Sequence, residues 1–242
     1  MDSAVNTPAS EKKKPFAIAS ITLLLGAFFV LWQALFPVLR RLIVPNVPAE
    51  VLIRFSELAT FAFIILCILS VAVATFFKKS NIFLIVSLFA LALAYAIPSV
   101  SCLKGFFFSL GDEFTSLFTF EYGLYSGAYV FFVLGFLVLG LTAIFARMGK
   151  EKLTNLWILA TVLFVIAALC SMINAFRTVI VNFEQLGWAL EMWLDYGIGD
   201  TSDIIVDFFY TLLIPWIFFG SSVMHFVSSI LMGLYLKKLA KQ

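Results

Sequence analysis

The chain has 242 residues, of which 63% are apolar and only 12% charged, and its mean hydropathy is +1.08. Soluble domains carry about a quarter charged residues and about half apolar ones. This composition therefore excludes a soluble enzyme, a disordered chain and a nucleic-acid-binding protein. The formal charge of +2 indicates no strongly charged partner. We expect a single integral membrane domain over residues 1–242, in contact with the lipid bilayer.

Six stretches are long and apolar enough to cross the hydrocarbon layer, which needs about 20 residues of helix. In chain order they are Pro15–Phe36, Leu58–Phe77, Ile82–Leu103, Tyr122–Ala146, Leu153–Phe176 and Phe208–Leu236. Each is a continuous apolar run, whereas the strands of a membrane barrel alternate. The fold class predicted is all-α, a polytopic bundle of six transmembrane helices.

The basic residues predict the orientation of the bundle. With a cytoplasmic N-terminus, the inner segments hold Lys12, Lys13, Lys14, Lys78, Lys79, Arg147, Lys150, Lys152, Lys237, Lys238 and Lys241. The outer segments hold only Arg40, Arg41, Arg54, Lys104 and Arg177. By the positive-inside rule both termini are cytoplasmic, and we expect a multi-pass protein of the plasma (cytoplasmic) membrane. The three outward hairpins are either internal repeats or simply what six spans produce.

The outer connections are amphipathic rather than plainly polar. In the third connection, apolar residues recur at spacings of three and four, a helical pattern. They are Val179, Phe183, Leu186, Leu190 and Trp193. The second connection repeats the pattern with Phe107, Leu110, Phe114 and Leu117. We expect interfacial helices that rest on the outer leaflet, with a lid or docking platform over the bundle as the alternative.

His225 is the clearest polar candidate inside a span. It lies 12 residues before Lys237, roughly 18 Å from the inner edge and so near the middle of the membrane. Ionisable residues at this depth are functional candidates, and an imidazole can relay protons or contact a ligand. The alternative is a neutral histidine that is hydrogen-bonded to a facing hydroxyl or backbone carbonyl.

A second group of polar residues is predicted near the outer boundary of the bundle. Helix rise places Gln33, Glu57, Asn174 and Arg177 at similar depths, together with Ser99 and Tyr125. A pairing of Glu57 with Arg177 could bind an anionic or zwitterionic group. The alternative is that polar side chains are simply inexpensive at the membrane boundary. With His225, the first four form the predicted ligand-binding set.

Other patterns favour structural interpretations. The acidic run from Asp195 to Asp207 lacks calcium-loop spacing, so a solvated turn is favoured over a metal site. Gly123 and Gly127 form a G-x-x-x-G motif typical of close helix packing. The three cysteines have no C-x-x-C spacing, and common catalytic and nucleotide-binding motifs are missing. We expect no catalytic residues, no metal, no cofactor and no enzymatic activity.

Two functions remain. The first is a non-catalytic subunit or interaction component of a membrane protein complex, with a membrane-protein partner or contacts between copies of this chain. The 29 phenylalanines and the few polar groups within the spans support it. The second is a small-molecule or ion transporter, or a solute-binding component, with an outward-facing polar pocket.

Overall fold

The computed structural model describes residues 14–43, 55–76, 81–110, 116–196 and 201–241. They form six α-helices and one short 3₁₀ helix, Glu151–Asn155, and no strand is found in these ranges. The α-helices are α1 (Lys14–Ile43), α2 (Phe55–Phe76), α3 (Asn81–Ser109), α4 (Ser116–Arg147), α5 (Leu156–Tyr196) and α6 (Thr201–Leu239). The all-α prediction is confirmed for the described part of the chain.

Four of these helices contain an apolar segment long enough to cross a membrane. The segments are Ile82–Phe108, Gly123–Arg147, Glu151–Val181 and Leu213–Leu239. The chain is therefore a multi-pass membrane protein by the length and composition of its helices. The apolar parts of α1 and α2, Ile18–Trp32 and Leu58–Ala74, are shorter. The count of six spans and the cytoplasmic position of the termini thus stay predictions.

The helices form a closed ring in chain order. Each packs against the next one along the chain, and α6 packs against α1. The rings of Phe16 and Tyr235 are 5.0 Å apart, so the start of α1 meets the end of α6. Lys241 also forms a salt bridge of 3.2 Å with Glu151, before α5. We call this end of the bundle, where α4 and α6 finish, the basic end, and the opposite end the far end.

Aromatic side chains fill the middle of the ring. Six large rings from α3, α4, α5 and α6 are at most 1% exposed: Tyr95, Tyr129, Phe132, Phe136, Phe164 and Phe218. Phe136 and Phe164 meet edge to face, with ring centroids 4.8 Å apart. Lipid gives no hydrophobic drive for helices to associate, so dispersion contacts of this kind hold the bundle together.

Glycines let these large side chains approach the neighbouring helix. A Cβ atom on Gly135 would lie 2.8 Å from the Phe164 ring. Of the predicted G-x-x-x-G pair, Gly123 faces Phe106 of α3 and Gly127 faces Cys170 of α5. The two small residues therefore serve two different helix contacts. A Cβ atom on Gly123 would lie 3.3 Å from the Phe106 ring, which is close packing, whereas one on Gly127 would lie 3.8 Å from the Cys170 thiol, an ordinary contact.

A glycine turn ends α4 at the basic end. Gly149 has φ +68°, in the left-handed region where glycine carries no Cβ penalty. Its N–H donates to the Ala146 carbonyl at 3.2 Å, and the Lys150 N–H donates to the Phe145 carbonyl at 3.0 Å. This pair of bonds is a Schellman motif, which satisfies the last carbonyls of the helix.

The third outer connection differs from the prediction. The span predicted to end at Phe176 continues without a break through Arg177 to Tyr196, so α5 has 41 residues and is about 60 Å long. The amphipathic segment is thus a continuation of α5 and not a separate interfacial helix. A charged residue such as Arg177 ends an apolar run, but it does not end a helix. The helix also contains no proline, and Gly187 alone does not break it.

Candidate functional site

The predicted ligand-binding residues lie on four helices. Gln33 belongs to α1 and Glu57 to α2, but their side chains lie outside the described part of the structure. The predicted pairing of Glu57 with Arg177 lies outside it for the same reason. His225 on α6 and Asn174 on α5 are each 1% exposed, whereas Arg177 is half-buried.

His225 belongs to a buried hydrogen-bonded cluster that joins three helices. Its Nε2 is 2.6 Å from the hydroxyl oxygen of Tyr95 on α3. The Tyr95 hydroxyl is 3.3 Å from the backbone carbonyl of Gly26 on α1. The Ser221 hydroxyl, one turn before His225 on α6, donates to the same carbonyl. We call Gly26, Tyr95, Ser221 and His225 the central node.

Hydrogen-bond accounting assigns the tautomer of a neutral His225. If Nε2–H donates to Tyr95, the Tyr95 hydroxyl can donate to the Gly26 carbonyl, which has a second lone pair for Ser221. Nδ1 has no partner. With this tautomer the unpaired atom is an acceptor, whereas the other tautomer would leave a buried N–H donor unpaired. The Nε2–H form therefore fits the site, since every donor of the central node has an acceptor.

The imidazole is enclosed on its remaining sides. Phe136 lies 4.8 Å from it at an interplanar angle of 89°, and Phe132 lies 5.4 Å away at 74°. A Cβ atom on Gly26 would overlap the imidazole ring itself. The glycine is thus required by the close approach of His225. This is the hydrogen-bonded arrangement that the sequence offered as the alternative to a ligand contact.

Hydroxyl groups connect α6 to its two neighbours in the ring. The Ser171 hydroxyl of α5 donates to that of Ser222 at 2.9 Å, and the hydroxyls of Thr161 and Ser229 are 3.0 Å apart. On another side of α6, Ser228 donates to the Ala19 carbonyl of α1 at 3.1 Å. The serines that flank His225 in the sequence therefore serve two different interfaces.

Asn174 lies in the interior but is not part of this network. It continues the buried line that Ala167 and Ser171 form along α5. Neither Nδ2 nor Oδ1 of its amide has a hydrogen-bond partner, although its backbone carbonyl accepts a 2.8 Å bond from Thr178. The bond between Ser171 and Ser222 sets a common level for α5 and α6. Relative to that level, Asn174 lies toward the far end and His225 toward the basic end.

The two buried candidates do not form one site. Each lies three residues from the level of the bonded serine pair, in opposite directions, so they are about 9 Å apart along the bundle axis. The side chain of Asn174 is in the interior of the bundle, and its predicted depth, near the outer boundary of the membrane, stays a prediction. Sequence reasoning missed Tyr95 and Gly26. The available signal was a tyrosine in the middle of a span, where a buried hydroxyl needs a partner.

Other chemistry is not evident in the described ranges. No group of three or more histidine, cysteine, aspartate or glutamate side chains in these ranges is arranged to hold a metal ion. The residues of the acidic run are divided between two helices. Asp195 lies in the last turn of α5, and Asp203 lies in the first turn of α6, while residues 197–200 are outside the described residues. Cys67, Cys102 and Cys170 are free thiols.

No protein-family model matches this chain, and no curated protein or solved structure is similar enough to indicate a family. The geometry of the bundle itself must therefore indicate the function.

Proposed function

We propose that this chain is a non-catalytic subunit of a membrane protein complex, and that a helix of its partner packs on the outward faces of α5 and α6. The polar side chains of the central node and of the hydroxyl pairs are used up inside the bundle. Many large hydrophobic side chains remain exposed on the outer surface of the spans. One feature of that outer surface, an uncovered glycine on α6, carries the proposal.

Gly220 differs from six other glycines of the spans. A Cβ atom on any of the six would contact a side chain of a neighbouring helix; these are Gly26, Gly123, Gly127, Gly135, Gly140 and Gly233. At Gly220 nothing lies within 4 Å, and the residue is exposed. A glycine inside a helix costs about 1 kcal/mol relative to alanine. At five of these positions a ring would lie within 3.3 Å of the Cβ atom and accounts for this cost, whereas the Cys170 thiol, 3.8 Å from a Cβ atom on Gly127, makes only an ordinary contact. By analogy with those five, an outside side chain is the matching explanation at Gly220.

The residues around Gly220 form a notch. Trp216 and Met224, each 38% exposed, stand one turn to either side of it on the outward face of α6. Trp216 is held by Phe176 of α5, with ring centroids 5.3 Å apart. Small residues between large ones let a second helix approach closely in a membrane. A partner helix with an aromatic or branched side chain would seat it there, as Phe164 sits over Gly135.

The neighbouring α5 offers a long apolar face beside this notch. Its exposed large residues recur every three or four positions: Ile158, Val162, Val165, Leu169, Ile173, Phe176, Ile180 and Phe183. Only 22% of the α5 span is buried within the bundle, against 44–50% for the spans of α3, α4 and α6. Lipid covers such a face in a lone protein, whereas the regular spacing also suits a partner helix.

The test is photo-crosslinking in the native membrane. A photoreactive residue in place of Trp216 should give one protein adduct, and the same probe in place of Leu69, 58% exposed on α2, should give mainly lipid adducts. Gly220→Leu should abolish the adduct without changing the melting temperature of the protein. Gly187→Leu is the matched control, because Gly187 is also uncovered but lies beyond the α5 span. Lipid adducts at both positions and a lone monomer in mild detergent would contradict the proposal.

A solute-binding or transport role is the second candidate. One observation favours it, the buried amide of Asn174 that has no partner in the bundle. A polar group of this kind is expected where a solute supplies the missing hydrogen bonds.

A further inference from the structure

The basic end of the bundle collects charge of one sign. Three apolar spans reach this end: those of α4 and α6 finish there, and that of α5 begins there. Residues 147–152 and 237–241 contain six basic side chains and a single acidic one, Glu151. We call the six the cationic patch: Arg147, Lys150, Lys152, Lys237, Lys238 and Lys241. The patch therefore lies where apolar spans give way to the polar surface of a bilayer.

Most of the positive charge in the cationic patch is not neutralised by the bundle. Of the six side chains only Lys241 forms a salt bridge with a described residue, Glu151, at 3.2 Å. Four of the other five are exposed, and Lys237 is half-buried. The salt bridge joins the end of α6 to the 3₁₀ helix before α5, so it draws the two halves of the patch together. An anionic partner can therefore reach the remaining charges.

Large apolar side chains stand among these charges. Met148 is 57% exposed in the turn after α4, and Leu153 is 42% exposed in the 3₁₀ helix. On α6, Leu234 is 54% exposed one turn before Lys238. Surfaces that rest in the headgroup region combine the two kinds of side chain, because the apolar ones meet acyl chains while ammonium groups reach the phosphates. The combination favours an anionic lipid, which offers both groups, over an acidic soluble protein.

We propose that the cationic patch binds the headgroups of anionic phospholipids, with Met148, Leu153 and Leu234 against their acyl chains. Clusters of about four to eight lysines and arginines beside membrane helices are typical of such recognition, and the patch has six. The attraction is electrostatic, so it weakens as salt shortens the Debye length. The inference does not depend on a partner at Gly220, and it applies to either orientation of the bundle.

The first test compares two lipids with the same acyl chains. The detergent-solubilised protein is mixed with equal amounts of phosphatidylglycerol and phosphatidylcholine, and the lipids bound per protein are counted by native mass spectrometry. Phosphatidylglycerol should be in excess, and the excess should fall at least about threefold in Lys150→Gln combined with Lys152→Gln.

A matched pair of single variants locates the lipid. Lys238→Gln should lower the excess, whereas Lys104→Gln should leave it unchanged. Lys104 is also exposed, but it lies near the far end, where its neighbour Phe106 faces Gly123 at the start of α4. Equal binding of the two lipids to the natural protein, or an equal fall in the two single variants, would overturn the proposal.

The second test separates a lipid from a free phosphate. Glycerol 3-phosphate carries the phosphate without acyl chains, so it should not displace bound phosphatidylglycerol even in large excess. Met148→Ser combined with Leu153→Ser keeps every charge but should lower the number of phosphatidylglycerol molecules bound. Both side chains are exposed, so size-exclusion chromatography should show a folded, monodisperse protein. Displacement by glycerol 3-phosphate, or unchanged lipid binding in the serine variant, would show that the patch recognises phosphate alone and would refute the lipid site.

Discussion

Two levels of the same interior treat their polar groups in opposite ways. At the central node, the side chains of Tyr95, Ser221 and His225 and one backbone carbonyl satisfy every donor among themselves. About 9 Å toward the far end, the amide of Asn174 satisfies neither its donors nor its acceptor. Lipid tails offer no hydrogen-bonding groups, so the two levels differ in how well their polar groups are satisfied. Hydrogen bonds at the first level join helices to one another, whereas the amide at the second level joins none.

The largest expected effect comes from filling the glycine of the central node. Gly26→Leu would place a side chain where the His225 ring now lies, so α1 and α6 must separate. We expect loss of more than about 3 kcal/mol of stability, since overpacking is combined with the loss of buried hydrogen bonds. Size-exclusion chromatography should show aggregated protein. Gly220→Leu, at an open glycine, is the control and should remain monodisperse; equal behaviour of the two variants would refute the close approach described for Gly26.

Breaking the node from the other side should have a smaller effect. Tyr95→Phe keeps the ring but removes the hydroxyl that His225 and Gly26 share. Leaving a buried N–H unpaired costs about 1–3 kcal/mol, so the melting temperature should fall by several degrees.

A double-mutant cycle sharpens this comparison. In His225→Leu the Tyr95 hydroxyl loses its contact with the imidazole and keeps only its bond to the Gly26 carbonyl. Tyr95→Phe together with His225→Leu removes both members of the 2.6 Å contact. The double variant should lose less stability than the sum of the two single variants. Simple additivity would show that the 2.6 Å contact contributes no coupling. Crosslinking at Trp216 should persist in any of these variants that folds, since the proposed partner does not contact the node.

The hydroxyl pairs between α5 and α6 should contribute less. In Thr161→Ala the Ser229 hydroxyl keeps its own bond to the Phe226 carbonyl, so no buried donor is left unpaired. Hydrogen bonds between membrane helices average about 0.6 kcal/mol, which corresponds to a fall in melting temperature of about 2 °C. A fall as large as that of Tyr95→Phe would remove the distinction between the node and the hydroxyl pairs.

The smallest effect is expected at the basic end. Lys241 and Glu151 are 56% and 51% exposed, so their salt bridge is screened by water and is worth about 0–1 kcal/mol. Lys241→Met should therefore change the melting temperature by little, and that small change should disappear in high salt. A large change that persists in salt would show that this end of the bundle is less solvated than its exposure indicates.

The sequence predicts the helices of this protein better than their contacts. Continuous apolar runs indicated helices at the right places, and four of these helices are long and apolar enough to cross a membrane, because lipid demands that backbone groups be satisfied within each segment. The end of α5 was missed because Arg177 interrupts hydropathy but not helical hydrogen bonding. The closure of the ring between α1 and α6 was not predictable, since faces that touch lipid and faces that touch protein are equally apolar.

The candidate site was predicted in part. Asn174 and His225 stand out in the sequence as polar residues within spans, and both prove to be buried. Their different roles depend on groups far away in the chain: Tyr95 lies 130 residues from His225. The sequence does not show which group a tyrosine in an aromatic-rich span will bind. Nor does it show which ring will pack on a given glycine. The unpartnered state of Asn174 likewise depends on how the helices pack and not on the local sequence.

The closure of the ring also has a consequence for biosynthesis. The ribosome makes α1 first and α6 last, yet the Gly26 carbonyl receives its second donor, Ser221, and the Tyr95 hydroxyl its contact with His225 only from α6. Until α6 is made, α1 and α5 lack the helix that packs between them and closes the ring. Nascent chains that stop before residue 221 should therefore be recognised and degraded by membrane quality control, even where their earlier helices have formed.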